Sequence, residues 1–328
     1  MSKVWAVRRW LQALVDREAE PRNLIGLSLF RVLVGIAILS EFLLVYGQRA
    51  YLFGNRGLVP YATYLEQMAH FSLYWFARSD WVFELIYHGS VLVVLLWTLG
   101  YATRWLTPLV FYCWTSFTDR GPPLWDGGDN LMAILLVFAC FADLGAHFSA
   151  ARASADPEQP RRVQSVPALA IFHNTVVRAF GIQVCIVYFV AGIMKARGHA
   201  WLDGSALYSS WADPQFGWPG VTDRIAQNKA LLSVLGPLTI AFQISFPFFF
   251  ALNRRSRVFI LLVAMSFHLG IALLMGLLSF ATFFIAAELA LISDAEYRRA
   301  ARLLRRTFQR ESENAVRSLD ATTSRDGK

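Results

Sequence analysis

Lys195 is the residue of this sequence best placed for chemistry. It stands in YFVAGIMKARGHAWLDGSAL (188–207), where an apolar run ends and a polar, glycine-containing segment begins. A lysine amine held in apolar surroundings loses hydration, which favours its neutral form, and a neutral amine can take a proton. Tyr188 and Lys195 are seven residues apart, so on a helix they share one face, with Gly192 a turn below the amine. That spacing leaves room for a flat ligand beside the amine. Asp203 can orient the lysine or keep it protonated. The same position also suits a lysine that snorkels to a membrane interface, and residue types alone leave both readings open.

Other polar groups lie inside apolar runs: Arg31, Glu41, Glu84, His88, His173, Asn174, Arg178, Gln243, His268 and Glu288. A charge in a bilayer is costly unless it is paired or hydrated, so these groups face a bundle interior. Glu84 and His88 are four apart on one helical face, as are Asn174 and Arg178. For Arg31, Arg178, Glu84 and Glu288 the structural expectation is mutual pairing. His268, alone in the apolar stretch MSFHLG, reads either as a hydrogen-bonded structural histidine or as a catalytic one. No His, Asp or Glu group has metal-ligand spacing, and there is no phosphate loop, dinucleotide fingerprint or nucleophile elbow. Cys113, Cys140 and Cys185 each fall in an apolar run and read as small buried residues.

The elements that must position these groups are membrane spans. Of 328 residues, 56% are hydrophobic and 16% charged, against roughly 25% charged in a soluble domain. The fold class is therefore all-α, a polytopic transmembrane helical bundle of about eight spans. The spans run near 24–46, 81–102, 105–117, 130–144, 167–194, 231–252, 258–275 and 277–292. The aromatic-rich segments 47–80 and 196–230 suit amphipathic interfacial helices in the outer loops. The net charge of +8 sits in short loops and tails, a positive-inside distribution and no stripe for nucleic acid. With eight spans both termini are cytoplasmic; with seven, one arginine-rich end would cross. Three regions follow: a charged amphipathic helix at 1–22, the transmembrane domain at 23–293, and a basic amphipathic helix with a polar tail at 294–328. The partner this composition implies is the lipid bilayer.

The stretch around Lys195 resembles the signature of the HTTM domain, the membrane part of vitamin K-dependent gamma-glutamyl carboxylase and its bacterial relatives. LSLFRVLVGIAILSEF (27–42) looks like that domain's first span, with Arg31 in place. LWDGGDNLMAILLVFACF (124–141) resembles its loop into the fourth span, and SFHLGIALLMGLLSFATFFIAAELALI (266–292) its closing helical pair, with His268 and Phe280 at matching places. The chain after Ile292 is short, which points to the compact bacterial members resembling the sporulation-delaying protein B family and so to a bacterial cell membrane. The resemblance implies Lys195 and His268 as catalytic residues, and a quinone-like or vitamin K hydroquinone-like cofactor held near Tyr188, Gly192 and Trp201. The supporting polar groups are Arg31, Glu84, His88, Asp129, Asn130, Arg178 and Asp203. Met194 stands where the carboxylase has the first lysine of a pair, and Gly128–Asp129 where it has asparagine and histidine. Both departures argue against simple transfer of glutamate carboxylation. The implied roles are maturation of a small secreted peptide or, without catalysis, binding, escorting or conferring immunity to a peptide toxin. Transport is a weaker third option, because no internal repeat is visible.

Overall fold

The computed structural model describes residues 5, 9, 12, 18–67, 72–121, 126–153, 162–213, 216–218 and 220–309. Most of the N-terminal helix expected at 1–22, the core of the 153–164 connector and the tail after Glu311 lie outside them. Every regular element among the described residues is helical. Each of the eight apolar segments is a helix: α1 Leu24–Leu44, α2 Asp80–Thr98, α3 Thr103–Arg120, α4 Gly127–Ala139, α5 Pro167–Ala196, α6 Lys229–Leu252, α7 Arg254–Met275 and α8 Leu278–Ala290.

Five of them (α1, α2, α5, α6 and α7) are long and apolar enough to cross a membrane. The other three fall short for separate reasons. Helix α3 carries Arg104, Asp119 and Arg120. Helices α4 and α8 have 13 residues each, about 20 Å of rise against a hydrocarbon layer of roughly 30 Å. Helix α8 is nonetheless mostly buried, with Ala281, Phe283, Phe284, Ala286, Ala287, Glu288 and Ala290 inside the bundle, and the face of Leu278, Thr282, Ile285 and Leu289 partly open. It packs against α1, α4 and α7. Beyond α8 the chain turns by 99° into the helix Asp294–Gln309, the basic amphipathic helix anticipated from sequence.

Small residues set the closest approach. A Cβ on Gly26 would lie 2.6 Å from the Leu289 carbonyl oxygen and 3.1 Å from Ala290 Cα, so α1 meets α8 backbone to backbone. Gly26→Ala is expected to push the two helices apart and to cost about 1–3 kcal/mol. A thermal melt of the purified chain would show this as a clearly lowered midpoint; an unchanged midpoint would mean that the contact yields freely.

One end of the bundle is stitched by backbone groups that helix termini leave unsatisfied. The fully buried Arg31 guanidinium donates to the carbonyls of Trp97 and Thr98 at the end of α2, and to those of Leu144, His147 and Phe148 beyond α4. Asp294 accepts from the Leu24 and Ile25 amides at the start of α1 (3.1 and 2.8 Å), a carboxylate at a helix N-terminus. Asn23 donates to the carbonyls of Ala290 and Ile292. The expectation that Arg31, Arg178, Glu84 and Glu288 pair with one another is corrected here. Arg31 serves carbonyls, Arg178 pairs with Glu18, Glu84 with Arg49 and His88, and Glu288 with His268. Each of the four is thus engaged with partners other than the remaining three.

Candidate functional site

Helix α5 ends at Ala196, and Lys195 lies in its last turn. The following residues form two short helices, His199–Leu202 and Ser205–Ala212, pinned against α6 by glycines. A Cβ on Gly236 would sit 2.1 Å from the Trp201 carbonyl oxygen, and one on Gly204 (φ +83°) 2.5 Å from Leu232 carbonyl atoms. This docking brings the Trp201 ring beneath the lysine, with Nζ 4.9 Å from the ring centroid, a cation–π geometry. Among the described residues the Lys195 amine makes no hydrogen bond or ion pair. Asp203 does not reach it. Its Oδ1 accepts from the Ser205 amide at 2.8 Å, and that bond holds the exposed Asp203 carboxyl below the usual carboxylate range.

Gly192 plays a different part from the one its spacing suggests. A Cβ there would meet Ile244 Cγ1 at 2.8 Å, Ile244 N at 2.9 Å and Gln243 Cβ at 3.0 Å. The space beside α5 is therefore filled by α6, and Gly192 is a helix-crossing residue. Gly192 thus offers no gap for a flat ligand beside the amine.

Two turns further into the bundle, about 10 Å along the helix axis, Tyr188 and His268 come together around a third residue, Glu288. The Tyr188 hydroxyl donates to Glu288 Oε1, and His268 Nδ1 lies 2.9 Å from the same oxygen. Tyr188 and His268 are themselves 3.2 Å apart. All three are buried, and Glu288 Oε2 has no hydrogen-bond partner among the described residues. Aromatic rings enclose the group. Tyr188 stacks on Phe246 at 4.0 Å and His268 on Phe284 at 4.3 Å, while Phe280 closes the third side, 5.8 Å from His268. The GGDN stretch reaches this cluster indirectly: a Cβ on Gly128 would sit 3.1 Å from the Phe280 ring, so the glycine lets the start of α4 rest on Phe280. Gln243 Oε1, on the neighbouring α6, is a second buried acceptor without a partner.

The remaining sequence candidates lie elsewhere. Asp129 forms a capping box with Asp126 at the start of α4, and Asn130 beside it is exposed. Glu84 and His88 join Arg49 and Tyr46 in a polar group between α2 and the segment that follows α1 (Arg49 Nε–Glu84 Oε2 2.9 Å; Tyr46 OH–His88 Nε2 3.2 Å). Arg31 and Arg178 belong to the opposite end. The structure thus joins Tyr188 to His268 and Lys195 to Trp201, and keeps the two pairs apart. Glu288 is the participant that sequence reasoning left out of the site; its signal was a lone carboxylate in an otherwise apolar run. Among the described residues no group of three or more His, Cys, Asp or Glu could hold a metal ion.

Five long apolar helices, an inward-facing ionisable cluster and a bundle end held by arginine define a multi-pass integral membrane protein. The family model described as the HTTM domain matches residues 19–296, and the chain belongs to that family. No curated protein and no solved structure matches the chain.

Proposed function

We propose that this HTTM-family protein is a membrane enzyme in which Lys195 takes a proton from a flat hydroxyl-bearing ligand, a quinone-like molecule in its reduced form. The observation that carries the reading is the Lys195 amine itself: it lies over the Trp201 face and has no carboxylate partner among the described residues. An amine unburdened by a counter-ion is free to pair with the phenolate that proton transfer leaves behind. His268, held by Glu288 and Tyr188, is the second candidate for handling protons, deeper in the bundle. The accompanying topology has eight spans, with α3, α4 and α8 shielded by their neighbours, and both termini in the cytoplasm of a bacterial cell. Lys195 then faces outward, where a small secreted peptide is the substrate to be matured.

The test is binding of a reduced short-chain quinone to the purified chain, with the phenolate absorbance of the bound ligand followed in the ultraviolet. Lys195→Ala and Lys195→Arg are expected to weaken binding about tenfold or more, the worth of a charge-assisted contact, with an unchanged size-exclusion profile. Wild-type affinity in both variants would overturn the reading.

A second reading, capture of a secreted peptide without chemistry, is favoured by exposed aromatics at the same end, among them Trp75, Phe76, Tyr208 and Trp218. Trp211 is excluded from that role, because it is buried in a small core with Ala226 and Leu232. On this reading Trp75→Ala weakens peptide capture and Lys195→Ala leaves it unchanged.

A further inference from the structure

The right-angled helix Asp294–Gln309 leaves a crevice of about 800 Å³ between itself and the first two turns of α7. Its walls differ in character. Phe259 and Leu262 on α7 and Leu303 on the turned helix are each more than half exposed and form its apolar part. Arg254, Arg255 and Arg299 also line the crevice. The one carboxylate among them, Glu296, is already engaged: it accepts from Arg254 Nε at 2.9 Å and from the amide and hydroxyl of Ser293. These bonds hold the Glu296 carboxyl below its usual range, against a desolvation effect that is the largest single influence and acts upward. Arg255 and Arg299 make no ion pair or hydrogen bond among the described residues.

We infer that this crevice binds one anionic phospholipid, its phosphate between Arg255 and Arg299 and its acyl chains along Phe259, Leu262 and Leu303. Two features, the apolar wall and the turned helix, select a lipid over a free anion, and a third suits the phosphate of either. The guanidiniums border apolar wall, which a bare phosphate would leave uncovered. Guanidinium forks suit phosphate oxygens bidentately. The turned helix is an amphipathic, arginine-rich element at the end of a span, the arrangement that reads anionic headgroups. The Arg254–Glu296 pair braces the crevice and leaves the other two arginines for the ligand. The inference needs only that the chain sits in a bilayer and does not depend on what Lys195 does.

The test uses the full chain, delipidated in a neutral detergent. Its melting temperature is followed with short-chain phosphatidylglycerol, short-chain phosphatidylcholine or inorganic phosphate. Phosphatidylglycerol is expected to raise the midpoint, phosphatidylcholine to raise it distinctly less, and phosphate to leave it unchanged. In Arg255→Gln/Arg299→Gln the excess shift from phosphatidylglycerol is expected to disappear. Both side chains are exposed, so the variant should melt like the wild type without lipid; if it fails to fold, Arg299→Gln alone provides the same comparison. Equal shifts from the two lipids, an equal shift from phosphate alone, or a full phosphatidylglycerol shift in a folded arginine variant would each overturn the assignment.

Discussion

Replacing Arg31 with methionine is expected to cost the protein most of its folded yield. The guanidinium is fully buried and supplies donors to five backbone carbonyls from two chain segments, with distances of 3.1 Å to Leu144, 2.9 Å to Trp97, 3.2 Å to His147 and 2.6 Å to Phe148, and a further bond to Thr98. Methionine fills much of the space and supplies no donor. A buried carbonyl left without a partner costs about 1–3 kcal/mol, so orphaning even three of the five consumes much of the roughly 5–15 kcal/mol that holds a typical domain together. Arg31→Lys should give an intermediate result, because one compact ammonium has three donors and cannot span both segments. Arg178→Met is the matched control. That arginine is half exposed and pairs only with Glu18 among the contacts described, and such pairs contribute about 0–1 kcal/mol. The check is the monodisperse fraction after extraction, followed by a thermal melt. Equal yields for Arg31→Met and Arg178→Met would sink the account of Arg31 as the clamp between α2 and the segment after α4.

The contrast between these two arginines shows what the sequence could disclose. Apolar run length placed all eight helices, including α4 and α8, whose 13 residues a length criterion alone rejects. It also placed Arg31 and Arg178 inside runs and so marked both as needing partners. Which partner each finds is a tertiary fact. Arg31 meets carbonyls because α2 happens to end beside it, and nothing local to residue 31 records where another helix stops. Gly192 illustrates the same limit. A glycine one turn from a candidate base is compatible with a ligand gap or with a helix crossing, and only the position of Ile244 on α6 decides for the crossing. Lys195 and Trp201 stand six positions apart, across the end of α5 and the start of a short helix, so their proximity is a local matter. Glu288 and His268, twenty residues apart on adjacent helices, meet only because the turn at Gly276 (φ +69°) folds α8 back along α7. Backbone of that hand is easiest for glycine, so a glycine between two apolar runs was the available hint of a tight reversal.

The second large effect concerns Glu288, where stability and function can be separated by the choice of substitution. Glu288→Leu removes the one acceptor shared by the Tyr188 hydroxyl and His268 Nδ1. Both are buried, and breaking such a group by deleting one member leaves the rest uncompensated, at about 3–5 kcal/mol. The single variant is therefore expected to melt far below the wild type. Replacing all three members with apolar groups, Tyr188→Phe/His268→Leu/Glu288→Leu, removes the donors together with the acceptor. The surrounding rings of Phe246, Phe280 and Phe284 already form an apolar cage, and a fully apolar replacement of a buried polar group is often close to neutral. The triple variant is expected to recover most of the lost stability, so the effects of the three substitutions should be strongly non-additive, as in a directly contacting network. If the group exists only to hold the bundle, the recovered variant should bind a reduced quinone as the wild type does. The unpartnered Glu288 Oε2 argues otherwise. An orphaned buried acceptor lowers stability, and its presence beside a histidine in mid-bundle is the pattern of a site that handles protons. The triple variant is thus expected to be folded and stable and to bind the reduced quinone more weakly than the wild type. A folded triple variant with undiminished quinone binding would assign the cluster to packing alone.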